Sequence, residues 1–181
     1  MKILFTISIL FTHLHFLGQT TIIVNENEVI RQILRPEINK HEEIVYTHRL
    51  NKGVLEYDTK EFIKTSTRFF NKKGDTLILS KSEKKYIITQ LRIIKDHVWK
   101  DSLFNFSHRI PEDSTASYLK ANKARELYQF SKPIFIRNNS ICLIYMMRLC
   151  CGGIYGPTHL GFYKIQNGFW KNWITVFSGA F

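Results

Sequence analysis

The chain has 181 residues, with 26 Lys and Arg against 15 Asp and Glu, so its formal net charge is +11 at pH 7. This length predicts a single domain, large enough to bury a core that does not depend on metal or disulfide staples. The positive charge favours acidic partners, such as polyanions or anionic surfaces.

The first 19 residues have the order of a secretory signal peptide, with Lys2 before an apolar run that reaches Gly18. The run is shorter than the roughly 20 residues of a membrane span. We expect export to the periplasm or the medium, removal of residues 1–19, and one α+β domain over residues 20–181 with no transmembrane span. This mature chain has 25 basic and 15 acidic residues, a net charge of +10. A signal anchor and a buried first helix are the alternatives.

The N-terminal part predicts one helix and two hairpin-like segments. Residues 27–35 favour a short helix that ends before Pro36, because the residue before a proline disfavours the helical region. The first hairpin joins EIVYTHRL (43–50) to VLEYDTK (54–60), and the second joins TRFF (67–70) to TLILS (76–80). Both have glycine in the connecting loop, which is typical of hairpins.

The clearest helix is predicted over about residues 81–99. Ser80 and Glu83 have capping-box spacing, and apolar residues recur at helical spacing on one face: Ile87, Leu91, Ile94 and Val98. A second helix, which lacks a clean apolar stripe, is predicted over about residues 114–129.

The C-terminal third predicts strands. PIFIR and SICLIYMMRL flank Asn138-Asn139, while HLGFYKI and FWKNWITVF flank Gln166-Asn167-Gly168, where Asn-Gly is a hairpin signal. The second segment is apolar on both faces, as in a covered sheet. We expect an α+β fold with a C-terminal four-stranded antiparallel meander covered by the helix at about 81–99.

The stretch CCGGIYG (150–156) connects the second and third of these strands. On one straight strand, Cys142 would lie roughly 26 Å from Cys150, too far for a disulfide. Glycine reaches backbone angles that other residues avoid. We therefore interpret four residues as a structural turn: Cys151, Gly152, Gly153 and Gly156.

A catalytic alternative uses the Cys151 thiol as nucleophile and His159 as its base, as in a thiol-dependent hydrolase. No cysteine-hydrolase signature surrounds Cys151, and no third residue that orients the histidine is identifiable from the sequence. Adjacent cysteines also lack the C-x2-C spacing of a zinc site. The turn interpretation is therefore favoured, and the sequence predicts no metal ligand and no cofactor.

The basic residues form no long run along the chain, which favours a solvated lysine-rich surface over a dedicated polyanion site or a specific nucleic-acid site. The aromatic residues near the C-terminus are interpreted as core rather than as a ligand-stacking surface: Trp170, Trp173 and Phe177.

Three segments carry a resemblance: FSKPIF (130–135), CGG-x-x-G (151–156) and FYK-x-x-NG-x-W (162–170). They resemble uncharacterised exported proteins of Bacteroidota-type bacteria, in which a Ser-x-Pro strand leads to a Cys-Gly loop and an Asn-Gly…Trp hairpin. The resemblance implies export and carries over no activity. We expect a non-enzymatic binding or structural module, with the thiol hydrolase and a protein that binds polyanions or acidic envelope surfaces as alternatives.

Overall fold

The computed structural model describes residues 24–40, 43–50, 53, 59–123, 125–150 and 156–180. The expected signal segment, residues 1–19, lies outside these ranges. The helices are α1 (Glu26–Ile38), α2 (Lys60–Thr65), α3 (Lys81–Ile94) and α4 (Thr115–Ala121), the last preceded by a 3-10 turn at Glu112–Ser114. The strands are β1 (Ile44–Thr47), β2 (Arg68–Phe70), β3 (Thr76–Ile78), β4 (Ser107–Ile110), β5 (Leu127–Phe130), β6 (Ile134–Ile136), β7 (Ile141–Leu149), β8 (Pro157–Gln166) and β9 (Phe169–Ala180).

Seven of the strands form one mostly antiparallel sheet, in the order β4-β1-β5-β7-β8-β9, with β6 also paired to β7. The fold is therefore α+β, as the sequence predicts. The four C-terminal segments do not form a sheet of their own. β7 also pairs with β5, and β1 adds two parallel pairings, with β4 and β5.

A single serine bridges the break between β5 and β6, which occupy successive parts of the same edge of β7. The Ser131 N–H donates to Tyr145 O at 2.9 Å, and the Ser131 hydroxyl accepts from the Tyr145 N–H at 3.0 Å. Pro133 has no N–H to donate to a ladder, and regular pairing is absent between Phe130, where β5 ends, and Ile134, where β6 begins. This hydrogen-bond pattern explains why serine and proline stand two residues apart in the FSKPIF segment.

The predicted hairpin of residues 43–50 with 54–60 is wrong. Both edges of β1 are occupied by parallel neighbours, with Val45 opposite His108 on one side and Leu127 on the other. Lys60 begins α2 instead of extending a strand. Residues 51–52 and 54–58 lie outside the described ranges. The physical reason is tertiary: β1 is buried along its whole length and takes its partners from distant parts of the chain.

The helix predicted at 81–99 is present but ends at Ile94. Its capping box is complete: the Glu83 N–H donates to Ser80 Oγ, and Ser80 N–H donates to the Glu83 carboxylate. Ile87, Leu91 and Ile94 are buried, whereas Val98 lies beyond the helix and is 47% exposed. The chain leaves the helix because Trp99 is buried on the opposite side of the sheet, among the residues that α1 covers.

The helix predicted at 114–129 is much shorter, since α4 ends at Ala121 and residues 127–130 form β5. All four residues of β5 are buried between β1 and β7, so strand pairing overrides the weak local preference for helix.

The first helix continues past the proline at which the sequence predicts its end. α1 runs from Glu26 to Ile38 and contains Pro36. The Asn25 side chain accepts from the N–H groups of Asn27 and Glu28, which caps the start of the helix. Ile38 packs against the buried cluster that lies between α1 and the sheet, and this contact favours the extra turn despite the proline.

The helices cover both faces of the sheet. On one face, α2, α3 and the β2–β3 hairpin pack over alternate residues of β7 such as Leu143 and Tyr145. On the other face, α1 and Trp99 pack over Cys142 and Ile144. β7 is thus buried on both sides, as its continuous apolar sequence predicts. No helix within the described ranges is long and apolar enough to span a lipid bilayer.

The two turns with the clearest local signals form as predicted. β2 and β3 are antiparallel neighbours, with Phe69 opposite Leu77. The backbone φ angles of Asn167 and Gly168 are +53° and +80°, as a two-residue hairpin turn requires.

Side chains bond to outward-facing backbone groups at both edges of the sheet. At the β4 edge, the Arg109 N–H donates to the Asp101 carboxylate at 2.9 Å. At the β9 edge, the Trp170 N–H donates to Gln32 Oε1 at 2.9 Å, and Trp173 O accepts from Asn71 Nδ2 at 3.1 Å. Such contacts occupy groups that would otherwise pair with another strand.

Candidate functional site

The structure places only part of the predicted Cys-Gly site. Cys150 follows the end of β7, and Gly156 is buried just before β8. Residues 151–155, which include Cys151, Gly152 and Gly153, lie outside the described ranges. The interpretation of this segment as a turn and the catalytic role of Cys151 both stay predictions.

Gly156 lies against the backbone of the preceding strand. A Cβ atom built on Gly156 would fall 1.4 Å from Arg148 O and 2.5 Å from the carbonyl carbon of the same residue. Backbone atoms of a buried strand have little freedom to move away. Gly156 therefore has a steric reason to be glycine.

His159 lies on β8 and is oriented by an asparagine of the next strand. The distance from His159 Nε2 to Asn172 Nδ2 is 2.8 Å, and Asn172 Oδ1 accepts from the Thr175 hydroxyl at 3.2 Å. In this arrangement the amide nitrogen donates to an unprotonated Nε2, which leaves the proton of a neutral imidazole on Nδ1. Burial lowers the pKa of His159, which is consistent with the neutral form.

Because Gly161 has no side chain, the His159–Asn172 pair can lie directly against it. A Cβ atom on Gly161 would lie 2.5 Å from both His159 Nε2 and Asn172 Nδ2. Because the lone pair of Nε2 already accepts a hydrogen bond, His159 in this state has no free lone pair with which to take a proton from a thiol. The observed pair therefore orients the imidazole without preparing it as a base.

The environment of Cys142 disfavours a reactive thiolate. Cys142 is a free cysteine buried within β7, and burial raises the pKa of its thiol far above neutrality. A protonated, buried thiol is a poor nucleophile. Within the described ranges, no group of three or more His, Cys, Asp and Glu side chains is arranged to hold a metal ion.

The two partly buried histidines predict a pH dependence of stability. Burial lowers the pKa of His97 and of His159 below the ordinary value of about 6.5. The unfolded chain then binds more protons than the folded protein as the pH falls below that value, so the free energy of unfolding decreases there and is insensitive to these groups at higher pH. His159→Gln should flatten the dependence below about pH 6.5, measured by denaturant unfolding. Parallel curves for the variant and the parent protein would contradict this role of His159.

Most of the excess positive charge lies in one layer of the fold. We define the basic layer as residues 59–95, which contain α2, β2, β3 and α3. This segment has ten Lys and Arg residues and three Asp and Glu residues, a net charge of +7, whereas the rest of residues 20–181 has 15 basic and 12 acidic residues, a net charge of +3. The ten basic residues of this segment thus lie on elements that cover one side of the sheet.

Each acidic residue of the basic layer already has a basic neighbour. Glu61 pairs with Lys64 at 2.9 Å, Glu83 with Arg137 at 2.9 Å, and the Asp75 carboxylate lies 4.0 Å from Lys164 Nζ. Seven cations of the layer form no salt bridge with a described residue, although the charge of Lys73 helps to lower the pKa of Asp75: Lys60, Arg68, Lys72, Lys73, Lys81, Lys85 and Arg92. All of them except the partly buried Lys60 are exposed. Their charge is available to an external anion.

The turn of the β2–β3 hairpin is fixed to strand β9. The Asp75 carboxylate accepts from Trp173 Nε1 at 2.8 Å and from Asn71 Nδ2 at 3.1 Å, and these hydrogen bonds lower the pKa of Asp75. Lys164 Nζ lies 4.2 Å from the centroid of the Trp173 ring. The hairpin therefore presents Lys72 and Lys73 on a turn that is anchored.

A groove of about 450 Å³ lies beside this anchored turn. Its lining combines the two lysines of the turn with amide side chains and aromatic rings: Lys72, Lys73, Asn71, Asn172, Phe70 and Trp173. Asn172 thus lies at the border between the His159 pair and the basic layer.

A second groove, of about 620 Å³, runs between α1 and residues 103–106. Its two arginines are already engaged, Arg31 with the Glu28 carboxylate at 2.6 Å and Arg35 over the Phe169 ring at 5.5 Å. This groove therefore has less cationic charge to offer a ligand than the basic layer has.

Sequence reasoning missed two features of this region, the His159–Asn172 pair and the division of the C-terminal aromatic residues between the two faces of the sheet. Asn172 lies 13 residues after His159, and only the β8–β9 pairing brings the two side chains together. The aromatic stripe near the C-terminus is also divided between the faces, with Trp170 under α1 and both Trp173 and Phe177 against the opposite cluster. Irregular register within the β8–β9 pair shifts which side chains share a face.

No protein-family model matches the chain, and neither the curated proteins nor the solved structures contain a significant match to it. The resemblance to exported Bacteroidota-type proteins stays a prediction.

Proposed function

We propose that the protein is an exported, non-enzymatic binding module that attaches to acidic surfaces or polyanions through the basic layer. The observation that carries this proposal is the net charge of +7 within residues 59–95, where every acidic residue has a basic neighbour and seven cations form no salt bridge with a described residue. Such a charge distribution attracts anions and speeds their association.

The anchored β2–β3 turn supports this role. Flexible lysines lose conformational freedom when they bind, and a backbone that is already fixed reduces this cost. The contacts of Asp75 and Asn71 with Trp173 hold the backbone from which Lys72 and Lys73 project. The turn is therefore prepared to meet an anionic partner without prior rearrangement.

The thiol-hydrolase alternative lacks comparable support. Cys151 lies outside the described ranges, and the Nε2 lone pair of His159 already accepts from Asn172. A nucleophile and a base within hydrogen-bond reach are the geometric requirement of that chemistry. The binding function rests on described residues alone.

A charge reversal tests the proposal. Lys72→Glu/Lys73→Glu should lower the affinity for a soluble polyanion such as dextran sulfate by more than about tenfold, since each lysine near an anionic surface contributes about 1 kcal/mol. The double variant should also elute from a sulfated resin at lower salt and show a weaker dependence of affinity on salt concentration.

The matched control is Lys120→Glu/Lys123→Glu, which changes the net charge by the same amount at two exposed lysines outside the basic layer. This control should retain most of the affinity, and circular dichroism should show that both variants are folded. Equal losses in the two double variants would show that overall charge, and not the basic layer, determines binding.

A further inference from the structure

The outward face of the β2–β3 hairpin combines cations with exposed apolar side chains. Phe69 and Leu77 point into the core, so their neighbours Arg68, Phe70 and Ile78 point outward. Phe70 is 66% exposed and Ile78 is 52% exposed. Because Phe70 and Ile78 lie outside the buried core, packing of the core does not explain why these two positions are apolar.

The register brings these two apolar side chains together. Arg68 is opposite Ile78, and Phe70 is opposite Thr76, so Phe70 and Ile78 are diagonal neighbours with Cα atoms about 7–8 Å apart. They form a small apolar pair, which we call the apolar tip.

Cations lie at both ends of the apolar tip. Lys72 and Lys73 occupy the turn that follows Phe70, and Lys81 begins α3 three residues after Ile78. Arg68 lies across the ladder from Ile78. Basic side chains around exposed aromatic and aliphatic groups are the combination that binds anionic membrane surfaces, where the apolar groups enter the headgroup region and the cations remain at the phosphates.

We infer that the acidic surface recognised by the basic layer is an anionic phospholipid bilayer, into which Phe70 and Ile78 insert. The inference rests on the proposed function and assigns its partner. A purely ionic polymer would leave both apolar side chains in water. An isoleucine also has no π-face on which a nucleic-acid base stacks, whereas a lipid interface accommodates both side chains.

The experiment is co-sedimentation of the purified chain with vesicles of phosphatidylcholine alone and of phosphatidylcholine mixed with phosphatidylglycerol. We expect binding to the mixed vesicles only, and loss of that binding at high salt because the attraction is screened. Phe70→Thr/Ile78→Thr should weaken binding to mixed vesicles by at least about tenfold, since both substitutions lose apolar surface that insertion would remove from water. Threonine retains the preference for strand.

The control for apolar insertion is Phe106→Asn, which removes an aromatic ring that is 78% exposed outside the basic layer. Asparagine tolerates the positive φ of +58° at that position. This variant should bind mixed vesicles as the parent protein does. Both apolar variants should retain affinity for dextran sulfate, because their charge is unchanged.

The outcomes separate the inference from the proposed function. If the parent chain binds dextran sulfate but not the mixed vesicles, the lipid partner is wrong and the binding function stands. If Phe70→Thr/Ile78→Thr binds the mixed vesicles as tightly as the parent, insertion of the apolar tip is overturned. If the chain binds neither probe, both the inference and the proposed function fail.

Discussion

Replacing Gly156 with alanine is expected to destabilise the protein by more than about 3 kcal/mol, beyond the usual cost of overpacking. The added Cβ would fall 1.4 Å from Arg148 O, an overlap with the backbone of β7 that no side-chain rotation relieves. The start of β8 would have to separate from the end of β7. Thermal and denaturant unfolding measure the effect, and a variant that does not fold at all would agree with it.

Gly74→Ala is the matched control. Gly74 has a positive φ of +88°, but nothing lies within 4 Å of its ideal Cβ. Its replacement should cost about 1–2 kcal/mol, the penalty of the left-handed conformation for a residue with a side chain. If Gly156→Ala were no more destabilising than Gly74→Ala, the close approach to Arg148 would not determine the identity of residue 156.

Leu91→Ala is expected to cost about 2–5 kcal/mol, the range for truncation of a buried leucine. Leu91 is only 4% exposed and packs in the cluster between α3 and the sheet, together with Ile87 and Ile94. The cavity would lie under a helix whose apolar face is the main cover of this side of the sheet. Chemical denaturation at neutral pH measures the loss.

Ile93→Ala provides the comparison on the same helix. Ile93 is 62% exposed, and alanine has the highest helix propensity, so the change should stay within about 0.5 kcal/mol of the parent. Similar losses for the two variants would show that α3 does not pack through the face that contains Leu91.

The elements that the sequence predicts well are those whose signals are local. The capping box at Ser80, the apolar spacing from Ile87 to Ile94, and the Asn167-Gly168 turn each involve residues a few positions apart. Each of them forms in the structure. The extent of the helix that follows Ser80 was less predictable, because its end depends on where Trp99 is buried.

The pairing of β1 and the identity of β5 were not predictable from local patterns. EIVYTHRL and VLEYDTK alternate and flank a glycine, so the local pattern favours a hairpin, yet β1 lies between β4 and β5. LYQF at 127–130 carries no strong strand signal, and its burial between two strands determines its conformation. Neither β4 nor β5 lies close to β1 in the sequence, so a short window around β1 does not contain its pairing partners.

The candidate site also depends on contacts between parts of the chain that local sequence patterns do not connect. The basic residues form no run, so the sequence alone favours a solvated surface, but α2, the β2–β3 hairpin and α3 pack on one face and bring ten of them into one layer. The pairing of the layer's acids depends partly on residues outside it, Arg137 and Lys164. The availability of the remaining cations is therefore a property of the fold.

The position of β1 in the sheet constrains the order in which the protein folds. Ile44 pairs with Ser107, 63 residues later, and Val45 pairs with Leu127, 82 residues later. By contrast, β8 and β9 are joined by a two-residue turn. Closing a long loop costs entropy before any contact rewards it, so distant pairings form slowly. The C-terminal strands are accordingly expected to nucleate the sheet, and β1, although synthesised first, completes it after β5 is available. A nascent chain that ends before β7 lacks the strand on which β5 pairs, so the position of β1 between β4 and β5 is not yet fixed in the sheet.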